Sequence, residues 1–166
     1  MIMVTLREFQ WRDLDNLVLH ANNPKVAMYL RDFFPSPYTE ESARWWLEVG
    51  CRQENAINFA VAVDDELVGG IGARFFTDEH KHSAEIGYWL GEAQWGKGIT
   101  AQAVALLEKK LFALPNIYRL TAPVAHANVG SRRVLEKCGF QCEGILKRAI
   151  SIRSGTYDEH IYAKLK

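Results

Sequence analysis

The sequence predicts an α+β fold, in which a single, mostly antiparallel mixed sheet carries helices on both faces. Two apolar runs, 57–63 and 66–76, flank Asp64-Asp65 in a pattern typical of a β-hairpin. The segment 83–124 alternates strand, helix and strand patterns. It must therefore place two strands side by side in parallel, through a right-handed crossover.

The first forty residues predict one strand and two or three helices. Residues 3–9 alternate apolar and polar side chains as a strand does, and 11–22 carries apolar residues at helical spacing. Pro24 stops that helix and is placed to open a short second one over 25–30. Two prolines make 31–38 a loop, after which Thr39 is the predicted N-cap of a further helix. The inward residues expected on that helix are Ala43, Trp46, Leu47 and Gly50.

The remaining elements follow without a repeat or a linker. Strands are predicted over 83–90 and 118–124, and a helix over 99–114 ends at Pro115. Asn128 is the predicted N-cap of a helix over 128–140. The last two strands, 142–152 and 156–165, meet at a Ser154-Gly155 turn.

Length and composition favour one domain spanning residues 1–166. The 20 Lys and Arg balance 20 Asp and Glu, which argues against a general nucleic-acid binder. No apolar run reaches the roughly 20 residues that span a bilayer, and the opening stretch MIMVTLREFQ lacks the pattern of a secretion signal. We therefore expect a cytoplasmic protein without a membrane partner. Its three cysteines are expected to be reduced, and no metal site is expected, because the cysteines and histidines lack metal-ligand spacing.

Residues 95–100, WGKGIT, lie between a predicted strand and a predicted helix. A helix start offers unpaired N–H groups, and glycines let a ligand approach the backbone, so the segment suits a phosphate. A Walker-type loop is excluded because Gly98, not Ser or Thr, follows Lys97. A dinucleotide fingerprint fits poorly because Ala101 stands where its third glycine belongs. A coenzyme A pyrophosphate loop and a simple glycine-rich helix start remain open.

Two longer stretches carry a resemblance that covers essentially the whole chain. AEIGYWLGEAQWGKGITAQAV (84–104) followed by HANVGSRRVLEKCGF (126–140) closely resembles the GNAT superfamily of N-acetyltransferases, in its RimJ/RimL-like branch of ribosomal-protein N-terminal acetyltransferases. The N-terminal and C-terminal segments are similar to that branch as well. The resemblance implies the GNAT fold and acetyl-CoA as co-substrate.

The resemblance also implies which residues hold the coenzyme. The family's loop pattern starts at Trp95, with Gly98 as its internal glycine and Thr100 in place of the usual Gly or Ala. The backbone is expected to cradle the pyrophosphate along Trp95, Gly96, Lys97, Gly98, Ile99 and Thr100. The strand end is expected to bind the pantetheine through the backbone of Trp89, Leu90 and Gly91.

Acetyl transfer needs a base, because most amines are protonated at neutral pH. Glu85 is the candidate, and it is alternatively a surface carboxylate or an ion-pair partner of a neighbouring strand. By resemblance, a backbone N–H near Leu90 serves the oxyanion, Asn128 contacts the pantetheine and Ser131 donates to the leaving thiolate. Ser131 is alternatively a helix serine that bonds back to the chain, and Asn128 is alternatively only an N-cap. The tyrosine that many family members place nearby is Leu135 here.

Two further points of chemistry remain open in the sequence. Family precedent favours direct transfer over a covalent step on Cys138. The loop aromatics Phe33 and Phe34 either line the acceptor pocket, pack on the core or form a homodimer contact. The acidic residues that attract a cationic amine, or are ordinary surface charges, are Asp32, Glu40, Glu41, Asp158 and Glu159.

The function predicted from the sequence is acetyl transfer to a primary amine, either a protein N-terminus or a small amine. The alternative is a catalytically weak sensor or scaffold that binds acyl-CoA on the same fold. A phosphate-binding domain for another nucleotide is the third candidate. No nucleic-acid partner is expected under any of the three.

Overall fold

The computed structural model describes residues 1–166 and confirms the predicted fold class, one mixed sheet with helices on both faces. The strands are β1 (Val4–Arg7), β2 (Ala56–Val63), β3 (Glu66–Phe75), β4 (Ser83–Leu90), β5 (Arg119–Ala125), β6 (Gln141–Ile152) and β7 (Gly155–Leu165). The helices are α1 (Leu14–Ala21), α2 (Pro24–Ala27), α3 (Glu40–Glu48), α4 (Ile99–Phe112) and α5 (Val129–Lys137). None of them combines the length and apolar character needed to cross a bilayer.

The seven strands lie in the order β1-β2-β3-β4-β5-β7-β6. Only β4 and β5 are parallel, which confirms the parallel pair predicted for 83–124. The predicted hairpin between β2 and β3 turns at Asp64 and Asp65, whose φ angles are 51° and 64°. Arg7 and Arg12 both form ion pairs with Asp65, which ties this turn to the N-terminal segment.

Two apolar layers cover the two faces of the sheet. Alternate residues of β4, Ala84, Ile86 and Leu90, are buried in the larger core, beneath α4 and α5. Trp89, on the opposite face, packs against the smaller core formed by α1, α3 and the loop before α3. Because side chains alternate along a strand, β4 presents its even-numbered residues to α4 and α5 and its odd-numbered residues to α1 and α3.

Several helix boundaries differ from the sequence prediction for local reasons. The segment 11–22 begins as a short 3₁₀ turn, because the buried Asp13 carboxylate accepts the Gln10 N–H at 2.8 Å and reshapes the first residues. The second helix ends at Ala27, earlier than predicted. Gly50 lies beyond the end of α3, where the Trp45 and Trp46 rings fill the space of a Cβ atom.

Candidate active site

The glycine-rich segment before α4 forms an open cradle. Gly96 and Gly98 have φ angles of 75° and 77°, in the left-handed region that favours glycine. A Cβ atom built on either glycine meets no other atom within 4 Å. Ile99, the first residue of α4, is 1% exposed and anchors the helix start in the core. The unpaired N–H groups at this helix start therefore border free space that suits a phosphate group.

A cavity of about 170 Å³ lies between this cradle and α5. Its lining includes Gly96, Gly98 and Thr100 from the cradle, together with Arg133 and Lys137 from α5. The two cations are four residues apart, so they lie on the same face of their helix. Sequence reasoning did not single them out, although their spacing after the Asn128 cap was a readable signal. The residues present fit the pyrophosphate of a coenzyme.

Two residues of the WGKGIT segment make contacts that the sequence did not predict. The indole N–H of Trp95 donates to the Leu90 carbonyl at 2.9 Å, which binds the segment to the end of β4. The Lys97 ammonium donates to the Gln94 side chain at 3.2 Å and does not line the cavity. The cations facing the cradle therefore come from α5.

Strands β4 and β5 part in the middle of the sheet. They pair only from Ser83 to Glu85 on β4, whereas β4 continues to Leu90. The Gly91 N–H donates to the Val68 carbonyl on β3. Because the N–H and C=O groups of successive residues point to opposite sides of a strand, the N–H and C=O of Leu90 point away from β3 and into the gap. The Leu90 N–H thus faces the cleft where strand pairing has ended, and the main chain of Trp89 faces β3.

At the start of α5, three polar groups are joined. Asn128 caps the helix by accepting the Ser131 N–H at 3.3 Å, as predicted. The Ser131 hydroxyl lies 2.7 Å from the hydroxyl of Tyr88, which reaches it from β4. Burial raises the pKa of Tyr88, so its phenol remains protonated at neutral pH and is able to donate. Sequence reasoning missed Tyr88, because the contact depends on how α5 packs against β4.

Leu135 does not open onto the cleft. It is fully buried in the larger core. This position therefore provides no hydroxyl near Ser131, and Tyr88 supplies one from a different element.

Glu85 stands where β4 and β5 part, on the face directed toward α1 and α3. Its carboxylate accepts from the Arg74 Nη2 at 3.1 Å and from the Arg31 Nη2 at 3.3 Å. Arg74 lies opposite Glu85 on β3. The ion pair with a neighbouring strand, considered as an alternative from the sequence, is thus present.

Next to Glu85 on the same face is an unfilled space. Gly87 is exposed, and a Cβ atom built on it meets no atom within 4 Å. Trp89 follows it and packs edge-on against Phe34, with 5.8 Å between the ring centroids. A carboxylate, a bare backbone and an aromatic wall therefore lie in a row along β4.

The loop between α2 and α3 is fastened to the β6–β7 hairpin above this row. The Arg153 N–H donates to the Asp32 carboxylate at 2.9 Å, and its guanidinium donates to the carbonyl of Phe34. The Ser154 hydroxyl donates to the Met28 carbonyl at 2.7 Å. Phe33 remains exposed, whereas Phe34 packs on the smaller core.

The remaining nucleophile and imidazole groups form no second site. Cys138 is half-buried, and burial raises the pKa of its thiol, which disfavours the thiolate that a covalent step requires. His126, which precedes α5, and His160, on β7, share a hydrogen bond of 2.8 Å. No group of three or more His, Cys, Asp or Glu side chains is arranged to hold a metal ion.

The chain belongs to the acetyltransferase (GNAT) domain family, whose model matches residues 3–141. The uncharacterized N-acetyltransferase p20 of Bacillus licheniformis is 31% identical over 171 residues, covering 98% of this chain and 93% of p20. The ribosomal-protein-serine acetyltransferase of Escherichia coli is 33% identical over 107 residues, covering 64% of this chain and 59% of that protein. Mycobacterium smegmatis RimJ, solved in complex with CoA-disulfide, has a TM-score of 0.83 and 26% identity, covering 98% of this chain and 81% of RimJ.

These comparisons confirm the family expected from the sequence. Within the GNAT family the chain is similar to the RimJ/RimL-like branch. It is an N-acetyltransferase with acetyl-CoA as co-substrate.

Proposed function

We propose that this chain moves the acetyl group of acetyl-CoA directly to a primary amine, either a protein N-terminus or a small amine. The observation that carries the proposal is the parting of β4 and β5 after Glu85. It leaves a gap between a phosphate cradle on one face of the sheet and an unfilled, Glu85-lined space on the other. A thioester and an amine are thereby able to meet through the sheet.

The coenzyme is held, in this proposal, from the pyrophosphate to the thioester. Backbone N–H groups from Trp95 to Thr100 bind the pyrophosphate, assisted by Arg133 and Lys137. The pantetheine lies along the free edge of β4 beside Asn128. The Leu90 carbonyl already accepts a hydrogen bond from the Trp95 indole. The free N–H of Leu90 is therefore the group assigned to the pantetheine or to the oxyanion.

The chemistry is divided between the two faces of the sheet. Glu85 accepts the proton of the attacking amine, directly or through water. The amine adds to the thioester carbon, and collapse of the tetrahedral intermediate breaks the C–S bond. Ser131 donates a hydrogen bond to the leaving thiolate, and the protonated Tyr88 hydroxyl holds Ser131 in place. The raised pKa of the Cys138 thiol supports direct transfer over an acetyl-cysteine intermediate.

The first experiment titrates the protein with acetyl-CoA in a calorimeter, with ATP as the control ligand, and then measures turnover on an amine panel. Gly98→Asp is expected to abolish coenzyme binding, because it places a carboxylate in the cradle. Gly98→Asn is the matched control, since Asn has nearly the same shape and also tolerates a positive φ. It is expected to retain more affinity than Gly98→Asp. Equal binding of ATP, or unchanged affinity in Gly98→Asp, would contradict the loop assignment.

Two substitutions test the chemical step. Ser131→Ala is expected to lower kcat by about 10-fold or more, within the range of acid–base contributions. Glu85→Gln is expected to lower kcat without changing acetyl-CoA affinity. Coenzyme binding without turnover on any amine would favour the acyl-CoA sensor. A normal pH–rate profile in Glu85→Gln would remove it as the base.

A further inference from the structure

The electrostatics of the acceptor side indicate which amines it takes. Glu85 is 16% exposed in its side chain, whereas Arg31 and Arg74 are 52% and 59% exposed. The carboxylate is therefore mostly buried, and the two guanidinium groups are directed partly toward solvent. The cluster holds one negative and two positive charges at the place where the proposed amine arrives.

The two arginines have donors to spare. Each guanidinium reaches Glu85 through its Nη2 atom alone. No carboxylate other than Glu85 forms an ion pair with either group. An arginine offers five N–H donors in a planar fork, so most donors of this pair are unused. The spare donors and the surplus positive charge suit a second anion.

Two acidic side chains of the α2–α3 loop and the β6–β7 hairpin have partners outside this cluster. Asp32 accepts the Arg153 N–H at 2.9 Å. Asp158 accepts the Arg148 N–H at 2.8 Å and pairs with Lys147. Both carboxylates are thus already engaged with neighbours. Neither carboxylate forms an ion pair with Arg31 or Arg74.

We propose that the acceptor is zwitterionic, with an anionic group adjacent to its amine. This proposal rests on the acetyl transfer proposed above. The acceptor ammonium takes the Glu85 carboxylate in exchange for a guanidinium, so that one ion pair of Glu85 replaces another. The displaced Arg31 or Arg74 binds the acceptor's carboxylate as a two-point fork. A free α-amino acid and an N-terminal peptide with an acidic residue share this chemistry.

The test compares acceptors that differ in one charge. We would measure kcat/KM with two peptides that differ only in Asp or Asn at the second position, both amidated at the C-terminus. A free amino acid and its amide form a second pair, and spermidine is the cationic comparison. The acidic member of at least one pair is expected to be preferred by about 10-fold, as for one charged hydrogen bond. The pair that shows the preference identifies the acceptor as a peptide or an amino acid.

Variants show whether the arginines cause the preference. The double variant Arg31→Gln with Arg74→Gln is expected to abolish it, and each single variant is expected to reduce it. Arg44→Gln is the matched control, because Arg44 also forms an exposed pair with a glutamate, on α3. It is expected to keep the full preference. Equal use of acidic and neutral acceptors in both pairs, a preference for spermidine, or a preference that survives in the double variant would overturn the proposal.

A binding measurement separates this proposal from the acetyl transfer on which it rests. The same acceptors are titrated calorimetrically into protein saturated with coenzyme A, where no reaction occurs. Preferential binding of acidic acceptors without turnover would remove the proposed transfer and retain the charge preference. Turnover without any charge preference would retain the proposed transfer and remove the charge preference.

Discussion

Gly87→Val is expected to stabilise the protein while it disables acetyl transfer. Gly87 lies inside β4, its φ is not in the left-handed region, and its Cβ position is open. A glycine in a strand is less favourable than alanine by roughly 0.5–1 kcal/mol, and valine favours strands further. We expect the free energy of unfolding to rise by about 1 kcal/mol, which corresponds to a Tm increase of about 2–4 °C for a domain of this size.

The same substitution fills the space that the proposed acceptor needs. It places an isopropyl group between the Glu85 carboxylate and the Trp89 ring. With the acceptor bound, the added carbon atoms and the acceptor compete for the same space. Overpacking of this kind costs about 1–3 kcal/mol in protein cores. The corresponding fall in kcat/KM for the acceptor is about 5- to 150-fold. Acetyl-CoA affinity is expected to stay unchanged, because the phosphate cradle lies at another part of the cleft.

Three measurements check this prediction together: thermal unfolding, calorimetric titration with acetyl-CoA and steady-state kinetics. Gly144→Val is the matched control, since Gly144 lies on β6 and its Cβ position is also open. It is expected to leave kcat/KM unchanged. Full activity in Gly87→Val would refute the assignment of this space to the acceptor. A lower Tm would refute the conclusion that the Cβ position of Gly87 is open.

Three further perturbations test other parts of the molecule. Asn128→Ala removes the cap of α5 and is expected to lower stability by about 1 kcal/mol, measured by urea unfolding. Lys137→Ala is expected to weaken acetyl-CoA binding about fivefold, the effect of one exposed charge contact, and less at high salt, measured by calorimetry. Burial lowers the pKa values of His160 and His20, so their protonation opposes folding. Stability from these groups is therefore complete above their ordinary pKa of 6.5 and is lost as the pH falls below it, which Tm measurements at several pH values check.

Each of these three perturbations has its own control variant. Asn128→Asp keeps a capping oxygen and is expected to retain most of the stability. Lys109→Ala removes an exposed lysine of α4 that does not line the cavity, and unchanged binding is expected. His160→Gln should flatten part of the pH dependence of Tm. An unaltered pH dependence would show that His160 does not contribute to it.

The local features of the fold were predictable because they depend on neighbouring residues. The β2–β3 turn, the cap at Asn128 and the glycine cradle before α4 each follow from a few adjacent residues. Their backbone geometry agrees with the prediction. The helix boundaries were less exact, because a buried side chain such as Asp13 reshapes a helix start through contacts with residues outside the helix.

The site as a whole was only partly predictable, because its remaining parts depend on distant contacts. The ion pairs of Glu85 with Arg31 and Arg74 join residues 54 and 11 positions apart. The contact of Tyr88 with Ser131 spans 43 positions. No periodicity in the sequence reports such contacts. The point at which β4 and β5 separate also depends on the packing of whole elements.

The fastening of the α2–α3 loop to the β6–β7 hairpin has a consequence for how such enzymes diversify. The proposed donor half of the site comes from one continuous stretch, β4 through α5, whereas the acceptor side is framed by residues about 120 positions apart, such as Asp32 and Arg153. If the proposed acceptor side is correct, we expect changes near either end of the chain to alter the choice of acceptor while the coenzyme half stays intact. The two halves of the site would then be separately evolvable modules. We also expect the donor half to form earlier during folding, because its contacts are closer in sequence.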